Sequence, residues 1–212
     1  RSRRSTFSSQ EAMSSENNAD IVVPSGQAST FVGYETLATR ARVLAARSNR
    51  IVLDTCPFYA ESGGQVSDTG VLKLNGSQLI VLDARKSERG TIVIVDRPAE
   101  MLQGKTLEAM VDVPRRLNIQ RNHSATHLVH EALRRVLGTH VHQQGSLVAP
   151  DRLRFDFPHF GRITPEEVRA IEEMVNQKVA EDIQVYWEEL PIDKARKIPN
   201  VKMFFGDKYG DM

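Results

Sequence analysis

The residues most suited to chemistry are His123 and His127, set in the stretch Asn122-His123-Ser124-Ala125-Thr126-His127-Leu128. Two imidazoles four residues apart on a helix fall on one face, about one turn from each other. That spacing suits a single metal ion, and neutral histidine is the commonest protein ligand for zinc. Equally, two histidines can simply decorate a solvated helix face. A metalloprotease would need glutamate directly after the first histidine as general base; Ser124 stands there, which argues against that chemistry. Zinc usually takes three or four protein ligands. Within the chain the further candidates are His130, His140, His142 and His159, and no spacing selects among them.

Two other stretches could line a site. Glu61-Ser62-Gly63-Gly64-Gln65, followed by Asp68 and Gly70, lets the backbone turn sharply and approach a ligand closely; it would also serve as a plain turn between strands. Gln143-Gln144-Gly145-Ser146 sets two amides beside a glycine. It reads as a pocket lining able to recognise a hydroxyl, or as a loop with no role.

These stretches must be held by elements legible in the hydropathy pattern. Residues 1–30 are rich in Ser, Asn, Gln and Ala with little periodicity and read as a linker. Short aliphatic runs follow at Val43–Ala46, Ile51–Leu53, Val71–Leu72, Leu79–Leu82 and Thr91–Val95, and Asn75-Gly76 marks a hairpin turn. Residues 31–113 are therefore expected to form a small β-barrel or sandwich subdomain. From Pro114 the period changes. Ala125, Leu128, Val129, Ala132, Leu133, Val136 and Leu137 make a helical apolar stripe closed by Gly138, with His123, His127, His130 and Arg134 on another face. Leu153–Phe157 alternates as a strand. Thr164-Pro165-Glu166-Glu167 reads as a capping box opening a second helix with a buried stripe of Val168, Ile171, Val175 and Val179. Ile183, Val185 and Trp187 alternate as a last strand. The expected fold class is α+β: the small N-terminal barrel, then an α/β sandwich with an antiparallel sheet over residues 114–212.

Bulk properties narrow the function classes. The 212 residues are 40% apolar and 26% charged, with a formal net charge of +1, so there is no global basic footprint. A single cysteine, Cys56, leaves no internal disulfide partner and suits a reducing compartment. No apolar run is long enough to span a bilayer. Arg1-Ser2-Arg3-Arg4-Ser5 leads into no apolar signal segment. A cytoplasmic location is expected, an organellar one being the alternative.

Six blocks in order resemble the editing domain of alanyl-tRNA synthetases and its free-standing relatives. They are Phe31-Val-Gly-Tyr-Glu-Thr-Leu37; Pro57-Phe-Tyr-Ala-Glu-Ser-Gly-Gly-Gln65 with Asp68-Thr-Gly70; Asn122 to Leu128; Gln143 to Val148; Leu153 to Phe157; and Phe205-Gly-Asp-Lys-Tyr-Gly-Asp211. The resemblance covers residues 31–212, and its opening block is closer to the synthetase than to most free-standing editors. It implies hydrolysis of mischarged seryl- and glycyl-tRNA(Ala). His123 and His127 would be two zinc ligands, and a Cys-x-x-x-His pair expected beyond residue 212 would supply the rest, so that the chain reads as a fragment ending within its metal site. Thr126 and Gln143 would be the catalytic-pocket residues, and Gln65 and Arg154 would contact the substrate's acceptor end. Arg115, Arg116, Arg121, Arg134 and Arg135 form a local basic cluster for phosphates or a solvated face. The implied partners are the acceptor end of tRNA(Ala) and other domains of the synthetase, with no membrane partner. Two other readings are a non-catalytic tRNA-binding or interdomain module, and a threonyl-type editing domain, which shares the H-x-x-x-H core but not the Gly-Gly-Gln barrel.

Overall fold

A computed structural model describes residues 21–201 except 187, 189 and 200. Most of the expected linker and the Phe205–Asp211 block lie outside the described residues. The chain divides into two compact units, Arg1–Arg121 with Val148–Arg152, and Asn122–Leu147 with Leu153–Met212.

The first unit is built on a closed six-strand barrel. Its strands are β2 (Ala38–Arg47), β3 (Arg50–Leu53), β5 (Gly70–Leu74), β6 (Ser77–Ser87), β7 (Gly90–Val95) and β8 (Thr106–Val111), in the order β2-β3-β7-β6-β5-β8 and closed by β8 against β2. Every neighbouring pair is antiparallel. Alternation drives this: Ala41 and Val43 point inward while Arg40 and Arg42 are exposed. The expected turn at Asn75-Gly76 is present, with φ of 49° and 81°, the paired left-handed geometry that matches strand twist. Register shifts at Val43/Ala45 and Val81/Asp83 bend the two longest strands, which a closed barrel requires. Ile51, Leu53, Phe58, Leu72, Val81, Val93 and Val95 fill the interior. Outside the barrel, β1 (Thr30–Phe31) pairs in parallel with β4 (Thr55–Cys56).

Helix α1 (Val113–Leu137) follows. Asp112 caps it, its Oδ1 accepting the Arg115 N–H at 3.1 Å. Gly138, at φ 118°, ends it. After it, β9 (Gly145–Val148) and β10 (Leu153–Asp156) form a two-stranded ladder. Helix α2 (Pro165–Ala180) starts at the expected capping box, and α3 (Ile192–Ala195) is a single turn. The molecule is α+β, as the pattern predicts.

Three expectations are corrected. Ile183 and Val185 lie in irregular chain, 58% and 79% exposed, and not in a strand; Trp187 is outside the described residues. Three alternating residues give a strand only where a ladder partner exists, and among the described residues β9–β10 is the only ladder after α1. The α2 stripe is accordingly uncovered: Val168 and Val179 are exposed, and Ile171 and Val175 are half-buried. His130, expected on the polar face of α1, is 4% exposed, its ring 4.8 Å from that of Phe155. β10 covers that face with an aromatic side chain, and the imidazole packs against it with the two ring planes inclined by 39°. No helix among the described residues is long and apolar enough to cross a membrane.

Candidate functional site

Within α1, His123 and His127 stand on one face with ring centroids 5.2 Å apart and planes inclined by 35°. Both side chains are exposed. The pKa of His123 is pulled down, first by the packed atoms around its ring and then by the neighbouring His127 charge. Its imidazole is therefore neutral near pH 7, the form that coordinates a metal. The expected in-chain companions do not join the pair, because no group of three His, Cys, Asp or Glu side chains able to hold a metal exists among the described residues. His130 is packed on Phe155. His140 and His159 stack on each other, with Nε2 and Nδ1 3.1 Å apart, and His142 Nδ1 lies 2.9 Å from the His140 carbonyl. The donor set fits half of a zinc site.

Thr126 lies on the same stretch of helix, 5% exposed, and its hydroxyl donates to the Asn122 carbonyl at 2.8 Å. This is the common bond of a helical threonine back onto its own turn. It fixes the rotamer and commits the proton, leaving the oxygen as an acceptor. Gln143 is half-buried in the segment before β9. The next residue pins that segment, the Gln144 N–H donating to the Asp156 carbonyl at 2.8 Å. Arg154 is exposed on β10, its Nε 3.1 Å from Asp156 Oδ2. These residues all belong to the second unit.

Gln65 belongs to the first. Gly63 and Gly64 take φ of 62° and 84°, which only glycine adopts cheaply in succession. They fold the chain so that Ser62 and Gln65 pair across the turn. Gln65 is 7% exposed and bridges to Val148; Val148 N–H donates to the Gly64 carbonyl at 2.7 Å, and Val66 N–H to the Val148 carbonyl at 3.0 Å.

Arg116 organises this loop. Rather than joining a basic cluster, it is 2% exposed and ion-paired with Asp68, itself 1% exposed. Its Nη1 donates to the Gly33 carbonyl at 2.7 Å and its Nη2 to the Pro57 carbonyl at 3.3 Å. Asp68 Oδ2 also accepts the Tyr59 N–H at 2.7 Å. One guanidinium thus ties residues 31–37, 57–65 and 68–70 together. Ile119, three residues on and on the same helix face, is also fully buried. The rest of the supposed cluster is dispersed. Arg115 Nη1 donates to the Ser67 carbonyl, Arg121 to Asn118 Oδ1, Arg134 to the Thr139 and Val141 carbonyls, and Arg135 to Glu131.

Residues 2–115 match the family described as tRNA synthetases class II (A). The chain is 45% identical over 197 residues to an alanine–tRNA ligase of Acetivibrio thermocellus, with 86% of this chain and 22% of that protein aligned. It is 42% identical over 200 residues to one from Bacillus cytotoxicus, covering 87% of the chain and 23% of that protein. Against one from Thermus thermophilus it is 44% identical over 200 residues, with 87% and 22% covered. It spans between a fifth and a quarter of the length of these curated relatives. With more than half of its residues inside the family's match, the chain belongs to the class II tRNA synthetases (A), and its likeness there is to a segment of alanine–tRNA ligases.

Proposed function

We propose that this chain is the editing region of an alanine–tRNA ligase, hydrolysing seryl and glycyl esters wrongly attached to tRNA(Ala). The observation that carries the reading is the exposed His123–His127 pair, one turn apart, in a chain similar to alanine–tRNA ligases. The need for such a site is physical. A pocket built for alanine admits the smaller glycine and rejects serine's extra hydroxyl only weakly, so a second hydrolytic site supplies the discrimination.

His123 and His127 would hold two positions of a zinc ion, and a Cys-x-x-x-His pair would supply the remaining ligands. When bound, zinc would supply either polarisation of the ester carbonyl with activation of water, or a grip on the substrate amino group. Thr126 and Gln143 line the amino-acid pocket. With its proton committed to Asn122, the Thr126 oxygen accepts the seryl O–H, while the Gln143 amide donates to the same hydroxyl. Gln65 and Arg154 orient the acceptor end, and other synthetase domains recognise the rest of the tRNA.

A second reading, a non-catalytic tRNA-binding or interdomain module, is favoured by the lack of a third metal ligand among the described residues. The threonyl-type alternative is disfavoured by the Gly-Gly-Gln loop on its barrel and by the relatives found. The deciding experiment is deacylation of seryl- against alanyl-tRNA(Ala), with and without zinc, by this chain and by one extended through the next Cys-x-x-x-His. Zinc-dependent loss of the seryl ester alone from the extended chain is expected. No deacylation by either chain would leave the module reading.

A further inference from the structure

In the first unit, β1 and the β6–β7 hairpin border a pocket of about 330 Å³, within the size range of small-molecule sites. Its wall is aromatic. Phe31 is the centre, with Tyr34 edge-on to it at 5.0 Å and 86°, and Tyr59 at 6.2 Å and 72°. These contacts fix the tyrosines while Tyr34 stays 62% exposed. An exposed, immobilised tyrosine ring in a concavity is a stacking platform rather than a core residue. The opposite rim is polar, with Lys86, Ser87 and Thr91 from the hairpin. Lys86 is the only charged side chain among the eight lining residues, and its ammonium is located by the Ser62 Oγ at 2.8 Å.

A held aromatic face and one cation define the complementary ligand: a flat π-system carrying a negative charge. We infer that this pocket binds an unpaired nucleotide, its base stacked on Tyr34 and its phosphate on Lys86. Aromatic platforms beside basic side chains are how proteins hold single strands, because every base has a stacking face. Base-paired nucleotides cannot offer that face, so the site selects unpaired ones. The inference draws on membership of a tRNA synthetase family but not on ester hydrolysis, and its test contains no aminoacyl ester.

The test is fluorescence anisotropy of the full chain with a labelled six-nucleotide single-stranded RNA. Saturable binding is expected. Tyr34→Ala should weaken it at least about fivefold, and Tyr34→Phe should retain it. Lys86→Gln should weaken binding and lower the slope of log affinity against log salt by about 0.7. Both side chains are exposed, and unchanged circular dichroism would confirm that the variants fold. Competition by AMP at the strength of the oligonucleotide would assign a free nucleotide, and competition by RNA alone would assign a strand; either supports the site. Three results would overturn it: no binding, equal competition by inorganic phosphate or blunt duplex RNA, or affinity unchanged in both Tyr34→Ala and Lys86→Gln.

Discussion

Arg116→Met removes a charge and its donors while keeping the side chain's length. Asp68 then keeps the Tyr59 N–H at 2.7 Å, but its carboxylate, 1% exposed, has lost its counter-charge. Breaking a buried pair from one side costs about 3–5 kcal/mol, mostly from the stranded charge. The Gly33 and Pro57 carbonyls lose a donor as well. A loss of about 4 kcal/mol, roughly a thousandfold in the unfolding equilibrium, is expected. That is a large part of the 5–15 kcal/mol typical of a domain. Arg116→Lys should not rescue it, since a compact ammonium cannot fork to a carboxylate and two carbonyls at once. Arg152→Met is the control. Its pair with Asp151 is 65% and 63% exposed, so a change within about 0.5 kcal/mol is expected. A chain of two units need not unfold in one step, so the readout is native-state hydrogen exchange of barrel amides such as those of β3 and β7. Combined with Asp68→Asn, the double variant should lose less than the sum of the singles by at least about 2 kcal/mol. A loss under about 1 kcal/mol for Arg116→Met, or plain additivity with Asp68→Asn, would refute the idea that this pair holds the loop region together.

Burial pushes the Cys56 thiol up to about 12. Native protein should therefore resist a disulfide-exchange reagent at pH 8 and react only on denaturation; labelling within minutes under native conditions would contradict this. Because the folded pKa exceeds the ordinary value of 9.0, the unfolded chain loses its proton first. This contribution is complete below about pH 9 and declines by ~1.4 kcal/mol per pH unit as pH rises toward the folded value, and Cys56→Ala should lack that slope. At α2, Glu167 is held below the usual carboxylate range, first by the Thr164 N–H and then by the Thr164 hydroxyl. Its stabilisation is present above the ordinary carboxylate pKa and is lost as pH falls through the depressed one. Amide protection in the first turn of α2 should fade in acid in the wild type and stay flat in Glu167→Gln; identical profiles would remove the capping box from the account.

What the sequence makes legible is what short-range physics decides. Asn75-Gly76 prescribes its hairpin, Thr164 to Glu167 prescribe a helix start, and short aliphatic runs place β2, β6 and β7. The closing of the barrel is different, since Ala38 meets Met110 across more than seventy residues and no local signal encodes that pairing. The buried ion pair is hidden for a related reason. An arginine in a basic stretch looks like surface until its long-range partner, 48 positions away in sequence, is known. His130 and the bare stripe of α2 fail in opposite directions for one cause: periodicity says which side of a helix is apolar, not which side meets a partner.

Several motif residues have jobs in folding rather than in chemistry. A Cβ on Gly33 would stand 2.2 Å from the Pro57 carbonyl oxygen, and one on Gly70 would stand 2.1 Å from that of Met110. Both positions need glycine for close packing, and Asp68 is consumed by Arg116 and Tyr59. The blocks around residues 31–37 and 57–70 are therefore in good part the signature of one clasped loop region. A function read from those blocks as a whole would credit chemistry to residues whose packing already explains them. His123 and His127 are different. Their side chains are exposed, and the apolar stripe of α1 does not require imidazole there. Their neighbour Thr126 is buried and locked, so the pair rises from a rigid part of α1. Residue types that packing does not demand, held on an element that packing fixes, are where a reaction is to be sought.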